Sequence, residues 1–253
     1  MRVRDREVVV CADAHEVSLR GAELFVALAH RAQASGQPLS VALSGGSTPR
    51  TLFRMLAGED FRSRIDWRGV NLFWGDERSV PAEHPDSNYG MTQRELLDKV
   101  PILEANVHPI PTGLTTPAMA ARQYEETLRS FFHLGPGEWP RFDLIYLGMG
   151  ADGHTASLFP GSPALSEKER LVVENYVEKL GAWRITLTAK TLNYGRNVVF
   201  LIAGAGKASR IKEVLEGRSD PDRFPSQQIR PLNGRLLFLL DRAAASQLAG
   251  QGV

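Results

Sequence analysis

Four short stretches carry the residue types that can do chemistry. Ser44-Gly45-Gly46-Ser47-Thr48-Pro49-Arg50 combines hydroxyl donors with two glycines and a proline suited to the first helical position. At a helix start such a turn exposes backbone amides at the positive end of the helix dipole, which favours a phosphate. The same residues also read as an ordinary helix start capped by Ser47 or Thr48, and they lack the Lys-Ser/Thr of a P-loop. Gly75-Asp76-Glu77-Arg78 places three charges in succession. Arg78 can grip a phosphate or carboxylate through paired hydrogen bonds, while Asp76 or Glu77 can orient it or receive sugar hydroxyls. This cluster belongs at a wet cleft; its plainer reading is a solvated turn with a local ion pair. In Gly148-Met149-Gly150-Ala151-Asp152-Gly153-His154, the histidine sits beside a tight glycine turn with Asp152 two residues before it. Its imidazole can serve there as a general base, or it can be a structural histidine. Ala203-Gly204-Ala205-Gly206-Lys207 opens another helix. A lysine at that end opposes the macrodipole unless an anion lies between them, or unless its ammonium simply reaches into water.

These stretches need elements to hold them. Short β-branched or aromatic runs occur at residues 8–11, 39–43, 70–74, 142–147, 198–202 and 236–240. Between them lie helix-spaced segments at 16–34, 49–57, 88–99, 118–132 and 208–216. Apolar strands alternating with amphipathic helices predict a doubly wound, mostly parallel α/β sheet in a three-layer sandwich. Residues 170–177 and 183–188 break the alternation as two strands about a turn at Gly181, so a small antiparallel β addition is expected near 166–190. Segments 135–140 and 217–225, rich in Gly, Pro and charge, read as surface loops. All four chemical stretches follow strands, and ligands of open parallel sheets bind at the carboxyl ends of strands.

Composition narrows the function class. The chain has 253 residues, 43% of them hydrophobic, which fits one α/β domain over residues 1–253. A formal net charge of +1, with both signs spread along the chain, argues against nucleic acid or an anionic membrane as partner. No apolar stretch is long enough to span a bilayer, and the run at 8–12 ends at Asp13, too short for a signal-peptide core. The lone cysteine, Cys11, can form no internal disulfide; a cytoplasmic location is expected. Nothing in the sequence fixes the oligomeric state.

Other catalytic signatures fit poorly. Gly148 to Gly153 match G-x-G-x-x-G, with Glu174 imitating a ribose-binding acid, but Pro160, Gly161 and Pro163 interrupt the helix that a dinucleotide site needs. The six histidines show no H-E-x-x-H spacing and there is no G-x-S-x-G elbow, so neither metal nor cofactor is expected.

Leu43-Ser44-Gly45-Gly46-Ser47-Thr48-Pro49, Trp74-Gly75-Asp76-Glu77-Arg78, Asp86-Ser87-Asn88-Tyr89, the block running from Gly148 to Gly161, Arg184-Ile185-Thr186-Leu187 and Gly206-Lys207 resemble the 6-phosphogluconolactonases in content and order, from about the first strand to Asp241. The Gly148 to Gly161 block is the most specific part. The resemblance implies a fold shared with glucosamine-6-phosphate deaminases and a hydrolase of the oxidative pentose phosphate pathway acting on a phosphorylated sugar lactone. Those deaminases share the Ser-Gly-Gly loop and the Asp-Gly-His turn. They continue the turn with Ile-Ala-Phe-Asn-Glu-Pro where this chain has Thr155-Ala156-Ser157-Leu158-Phe159-Pro160, and they carry Asp-Glu-Tyr at Asp76-Glu77-Arg78. Gly75 replaces the more usual Ala and Ala151 a frequent Pro, with no functional group lost.

With such a substrate, the strand-end residues are expected to divide the work as follows. Ser44, Gly45, Gly46, Ser47, Thr48, Asp76 and Lys207 bind substrate, His154 is the general base, Asp152 orients it, and Arg78 either holds phosphate or stabilises an oxyanion. Three other readings stay open: an amino-sugar-phosphate deaminase, a non-catalytic sugar-phosphate sensor and a nicotinamide-dependent enzyme.

Overall fold

A computed structural model describes residues 2–3, 6–113 and 115–249. The limits of the expected domain, residues 1 and 253, lie outside them. In chain order the elements are β1 (Arg2–Val3), β2 (Arg6–Cys11), α1 (Ala14–Ala34), β3 (Leu39–Leu43), α2 (Ser47–Ala57), α3 (Glu59–Arg62), β4 (Val70–Trp74), β5 (Asp76–Arg78), α4 (Asn88–Glu95), β6 (Val107–His108) and α5 (Pro117–Phe131). They continue with β7 (Leu144–Leu147), β8 (Val172–Val177), β9 (Ala182–Leu187), α6 (Ala189–Asn193), β10 (Asn197–Ile202), α7 (Ala208–Glu216), β11 (Arg235–Asp241) and α8 (Arg242–Ala245).

Among the described residues, eight strands form the main sheet in the order β1-β2-β11-β10-β7-β3-β4-β6, all parallel except the β1–β2 pair. Every residue of β3, β4 and β7 is buried. These strands are apolar runs without alternation because helices cover both faces of the sheet. Burying each large apolar side chain contributes about 1.5–3 kcal/mol. From β3 the chain winds outward through β4 to β6, and from β7 it winds the other way through β10 to β11. The winding therefore reverses between β3 and β7, the position at which doubly wound sheets open a crevice.

The antiparallel addition has three strands, β5-β9-β8, rather than the expected two. Gly181 is left-handed at the turn between β8 and β9, as its place in the sequence suggests. The third strand is Asp76–Arg78, expected as a wet turn. After Gly75 donates its N–H to the Leu43 carbonyl, the chain leaves β4 and pairs with β9, Asp76 opposite Thr186 and Arg78 opposite Arg184. Two other boundaries differ. The helix expected over 88–99 ends at Glu95, where buried Leu96 leaves helical geometry (φ −133°) before a 3₁₀ turn. The strand expected from 142 begins at Leu144, because Asp143 turns its carboxylate onto the Ser40 amide and hydroxyl, 3.0 and 2.8 Å away. No helix among the described residues is long and apolar enough to cross a membrane.

Candidate active site

A cavity of about 370 Å³ opens at the carboxyl ends of β3, β7 and β10, with β5 and β9 as its other wall. Its lining includes Ser44, Gly45, Gly46, Ser47, Thr48, Asp76, Arg78, His154 and Lys207. Stretches as far apart in sequence as Ser44 and Lys207 therefore meet. Asp152 is not in the lining; it stands behind His154.

The Ser44 to Thr48 loop follows from the strand before it and the helix after it. Gly46 adopts φ +110°, which a side chain would resist, and it is the N-cap of α2 with no side-chain cap hydrogen bond. Neither Ser47 nor Thr48 caps the helix; both lie in its first turn. The first amides of a helix have no partner within it, so those of Ser47 and Thr48 remain for a ligand in the cavity.

His154 is held from several sides. Its Nδ1 lies 2.5 Å from Asp152 Oδ1, and its ring stacks on Phe159 at 4.1 Å between centroids. A carboxylate only accepts, so Nδ1 carries the proton and Nε2 is left as the basic nitrogen. The same Asp152 oxygen accepts the His154 backbone N–H at 3.1 Å, which ties the turn to the ring. Gly150 makes room for this arrangement: a Cβ there would stand 2.1 Å from His154 Nδ1 and 2.6 Å from Asp152 Oδ1. Burial pushes the imidazole pKa down to about 4, helped by Lys207, Arg184 and Arg78 and opposed by Asp76. The ring is neutral near pH 7, the state a general base needs.

The Asp76-Glu77-Arg78 segment divides its three charges. Asp76 lines the cavity, and its Oδ2 accepts the Ser157 hydroxyl at 2.7 Å. Glu77 points the other way, 1% exposed, which corrects its placement at a wet cleft. Strand pairing turns it inward, where its carboxylate accepts the N–H groups of Arg78, Asn88 and Tyr89 at 2.7, 2.8 and 2.7 Å. Burial lifts its pKa to about 7, against the pull of those amides. Arg78 lines the cavity and donates to the Asp86 carbonyl.

Arg184 also lines the cavity, directly across the strand pair from Arg78. Burial, then Arg78, lowers its pKa. Like charges directly opposite on neighbouring strands are unfavourable unless an anion lies between them. Burial likewise lowers the pKa of Lys207. The cavity is thus a mainly cationic pocket with a neutral imidazole and the Asp76 carboxylate in its wall. Sequence reasoning gave Arg184 no role, though it stands in the Arg184-Ile185-Thr186-Leu187 motif. It also passed over Ser157 and the Lys179 contact with Asp152. Only the pairing of β5 with β9 shows that Arg184 faces Arg78.

The glycine match at 148–153 is followed by a turn and a Thr155–Leu158 bridge, not by the helix that a dinucleotide would use, and Glu174 pairs with Arg170. Among the described residues no three His, Cys, Asp or Glu side chains gather as metal ligands do.

A family model described as glucosamine-6-phosphate isomerases/6-phosphogluconolactonase matches residues 12–238. A Synechocystis protein named 6-phosphogluconolactonase is 44% identical over 222 residues, covering 88% of each chain. One of the same name from Haemophilus influenzae is 36% identical, covering 83% of this chain and 88% of its own. The 6-phosphogluconolactonase structure from Trypanosoma brucei superposes with a TM-score of 0.83 at 32% identity, covering 98% of this chain and all of that one. A monomeric glucosamine-6-phosphate deaminase, at 21% identity and a TM-score of 0.78, shares the fold. With the family model spanning most of its length and relatives matching it nearly end to end, this chain belongs to the glucosamine-6-phosphate isomerase/6-phosphogluconolactonase family.

Proposed function

We infer that this protein hydrolyses 6-phospho-D-glucono-1,5-lactone to 6-phosphogluconate, as a cytoplasmic enzyme of the oxidative pentose phosphate pathway. Its residues 1–253 act as a single sugar-phosphate hydrolase domain, with the β8–β9 hairpin as a small lobe. The observation that carries this reading is a neutral, carboxylate-backed imidazole in the wall of a cationic pocket next to an uncapped helix start. The relatives that match this chain along most of their length carry the lactonase name.

In this reading the 6-phosphate lies on the residue 44–48 loop, with Lys207, Arg78 and Arg184 as its counter-charges, and Asp76 receives a sugar hydroxyl. Holding the far end of the substrate turns remote binding energy into positional precision at the ester carbon. His154 Nε2 takes a proton from water as the water oxygen bonds to the lactone carbonyl carbon. The resulting oxyanion is stabilised by a cation of the pocket, a role that Arg78 takes in place of its hold on the phosphate if it lies on the carbonyl side. When the ring C–O bond breaks, the imidazolium returns its proton to the departing ring oxygen, and the new carboxylic acid ionises. Asp152 holds the ring and steadies its positive charge between the two transfers. A δ-lactone is already an activated ester, so one base and orientation suffice.

A coupled assay supplying the phosphorylated lactone and following 6-phosphogluconate tests the reading. Formation well above the spontaneous rate is the expected result. Release of ammonia from glucosamine-6-phosphate without lactone opening would replace it with the deaminase, and sugar-phosphate binding without turnover would replace it with a sensor.

A further inference from the structure

The hairpin joining β8 to β9 reaches back to the base. Its tip, Glu178–Leu180, is a single 3₁₀ turn closed by left-handed Gly181. Leu180 forms part of the cavity wall. Its neighbour Lys179 donates to Asp152 Oδ2, the oxygen that His154 does not use. The same ammonium stands 4.7 Å from the centroid of Phe159, whose other neighbour is the His154 ring. Lys179 therefore touches both side chains that hold the imidazole, one by charge and the other through its aromatic face.

Resting on the reading of His154 as the general base, we propose that Lys179 is a positioning residue for the hydrolysis: by holding Asp152 and Phe159 it fixes the orientation and basicity of the imidazole. Two physical effects follow. A carboxylate held at one oxygen by a cation presents the other at a fixed place, so the ring cannot swing with it. That cation also withdraws part of the carboxylate's charge from the imidazolium, which keeps the histidine neutral at lower pH. The groups facing His154 are otherwise Asp152 on its own turn, Asp76 and Arg78 on β5, Arg184 on β9 and Lys207 before α7. Lys179 acts on one of these, Asp152, and lies outside the cavity lining. Because β9 also bears Arg184, one hairpin carries both a counter-charge for substrate and the brace for the base.

Half of the Lys179 side chain is exposed, and an exposed ion pair adds little to folding, so substitutions there leave a folded protein. The test compares the parent, Lys179→Met, Lys179→Arg and His154→Ala in the lactone assay across pH. For Lys179→Met we expect kcat to fall roughly tenfold to a hundredfold with little change in KM, since orientation is lost while the phosphate contacts stay. Its acid limb in kcat/KM should move to higher pH, because the unneutralised Asp152 now favours the imidazolium. Lys179→Arg should recover most of both. Parental kcat and an unmoved acid limb in Lys179→Met would overturn the proposal, as would a raised KM at parental kcat, which would put Lys179 on the substrate. A parent that does not accelerate lactone opening, or a fully active His154→Ala, would instead defeat the underlying lactonase reading.

Discussion

The main sheet and the small sheet both send side chains into the cavity, but by different means. In the main sheet the central strands β3, β4 and β7 are buried throughout, and the chemical groups sit in loops that follow strands, residues 44–48, 148–154 and 203–207. In the small sheet the strands themselves carry the chemistry: β5 supplies Asp76 and Arg78, and β9 supplies Arg184. The first arrangement sets backbone amides and a base on a rigid frame. The second brings two guanidinium groups face to face, a local cost that a bound dianion can offset. The comparison teaches that loops after the main strands place the base and the amides, while the small sheet brings in a facing pair of guanidinium charges. Substitutions that disturb the 148–154 turn, or the hairpin tip that braces it, should strike turnover, and substitution of the strand residue Arg184 should strike affinity.

Short of removing the base itself, the largest effect should come from Gly150→Ala, whose new methyl group collides with the imidazole and its carboxylate. Because displacing a catalytic group by about 1 Å can cost a hundredfold, kcat should fall by at least that order while far-ultraviolet circular dichroism stays native. A next, smaller effect is expected from Arg184→Ala, with KM rising roughly tenfold to a hundredfold for loss of a charged hydrogen bond and kcat less affected. A kcat loss without a KM change would reverse the division between the sheets.

Glu77→Gln should lower stability by about 1–3 kcal/mol in denaturant titration, since an amide offers one accepting oxygen where the carboxylate satisfies three N–H groups, one of them fully buried, with two. A comparable effect should appear in the pH dependence of unfolding. His154 has a folded pKa of about 4 against an ordinary value of 6.5, so the unfolded chain takes up the proton first. Its contribution to stability is complete above about pH 6.5 and is lost as pH falls towards 4. His154→Gln should flatten the stability curve in that window, and an unchanged slope would show that the imidazole is not desolvated. The smallest effect is the relief of repulsion in the ligand-free Arg184→Ala protein, a gain of about 0.2–1 kcal/mol.

Much of this was legible in the sequence where a single period or turn determines the outcome. Strands β3 and β4 fall at 39–43 and 70–74 as their apolar runs predict, and the Gly181 hairpin follows from a glycine between two β-rich runs. The cavity could be anticipated because parallel strands must all end on one edge. What could not be read is pairing at long range. Three charged residues after Trp74 have no strand signature of their own; β9, more than 100 residues later, makes them a strand and turns Glu77 inward. Arg184 and Lys179 were obscured for the same reason, since each gains its meaning from a partner distant in sequence, Arg78 or Asp152.

The most direct measurement is steady-state hydrolysis of the phosphorylated lactone by His154→Ala beside the parent, corrected for spontaneous opening. The account predicts a kcat lower by about two to four orders of magnitude with KM close to the parent's. Turnover near that of the parent would contradict it.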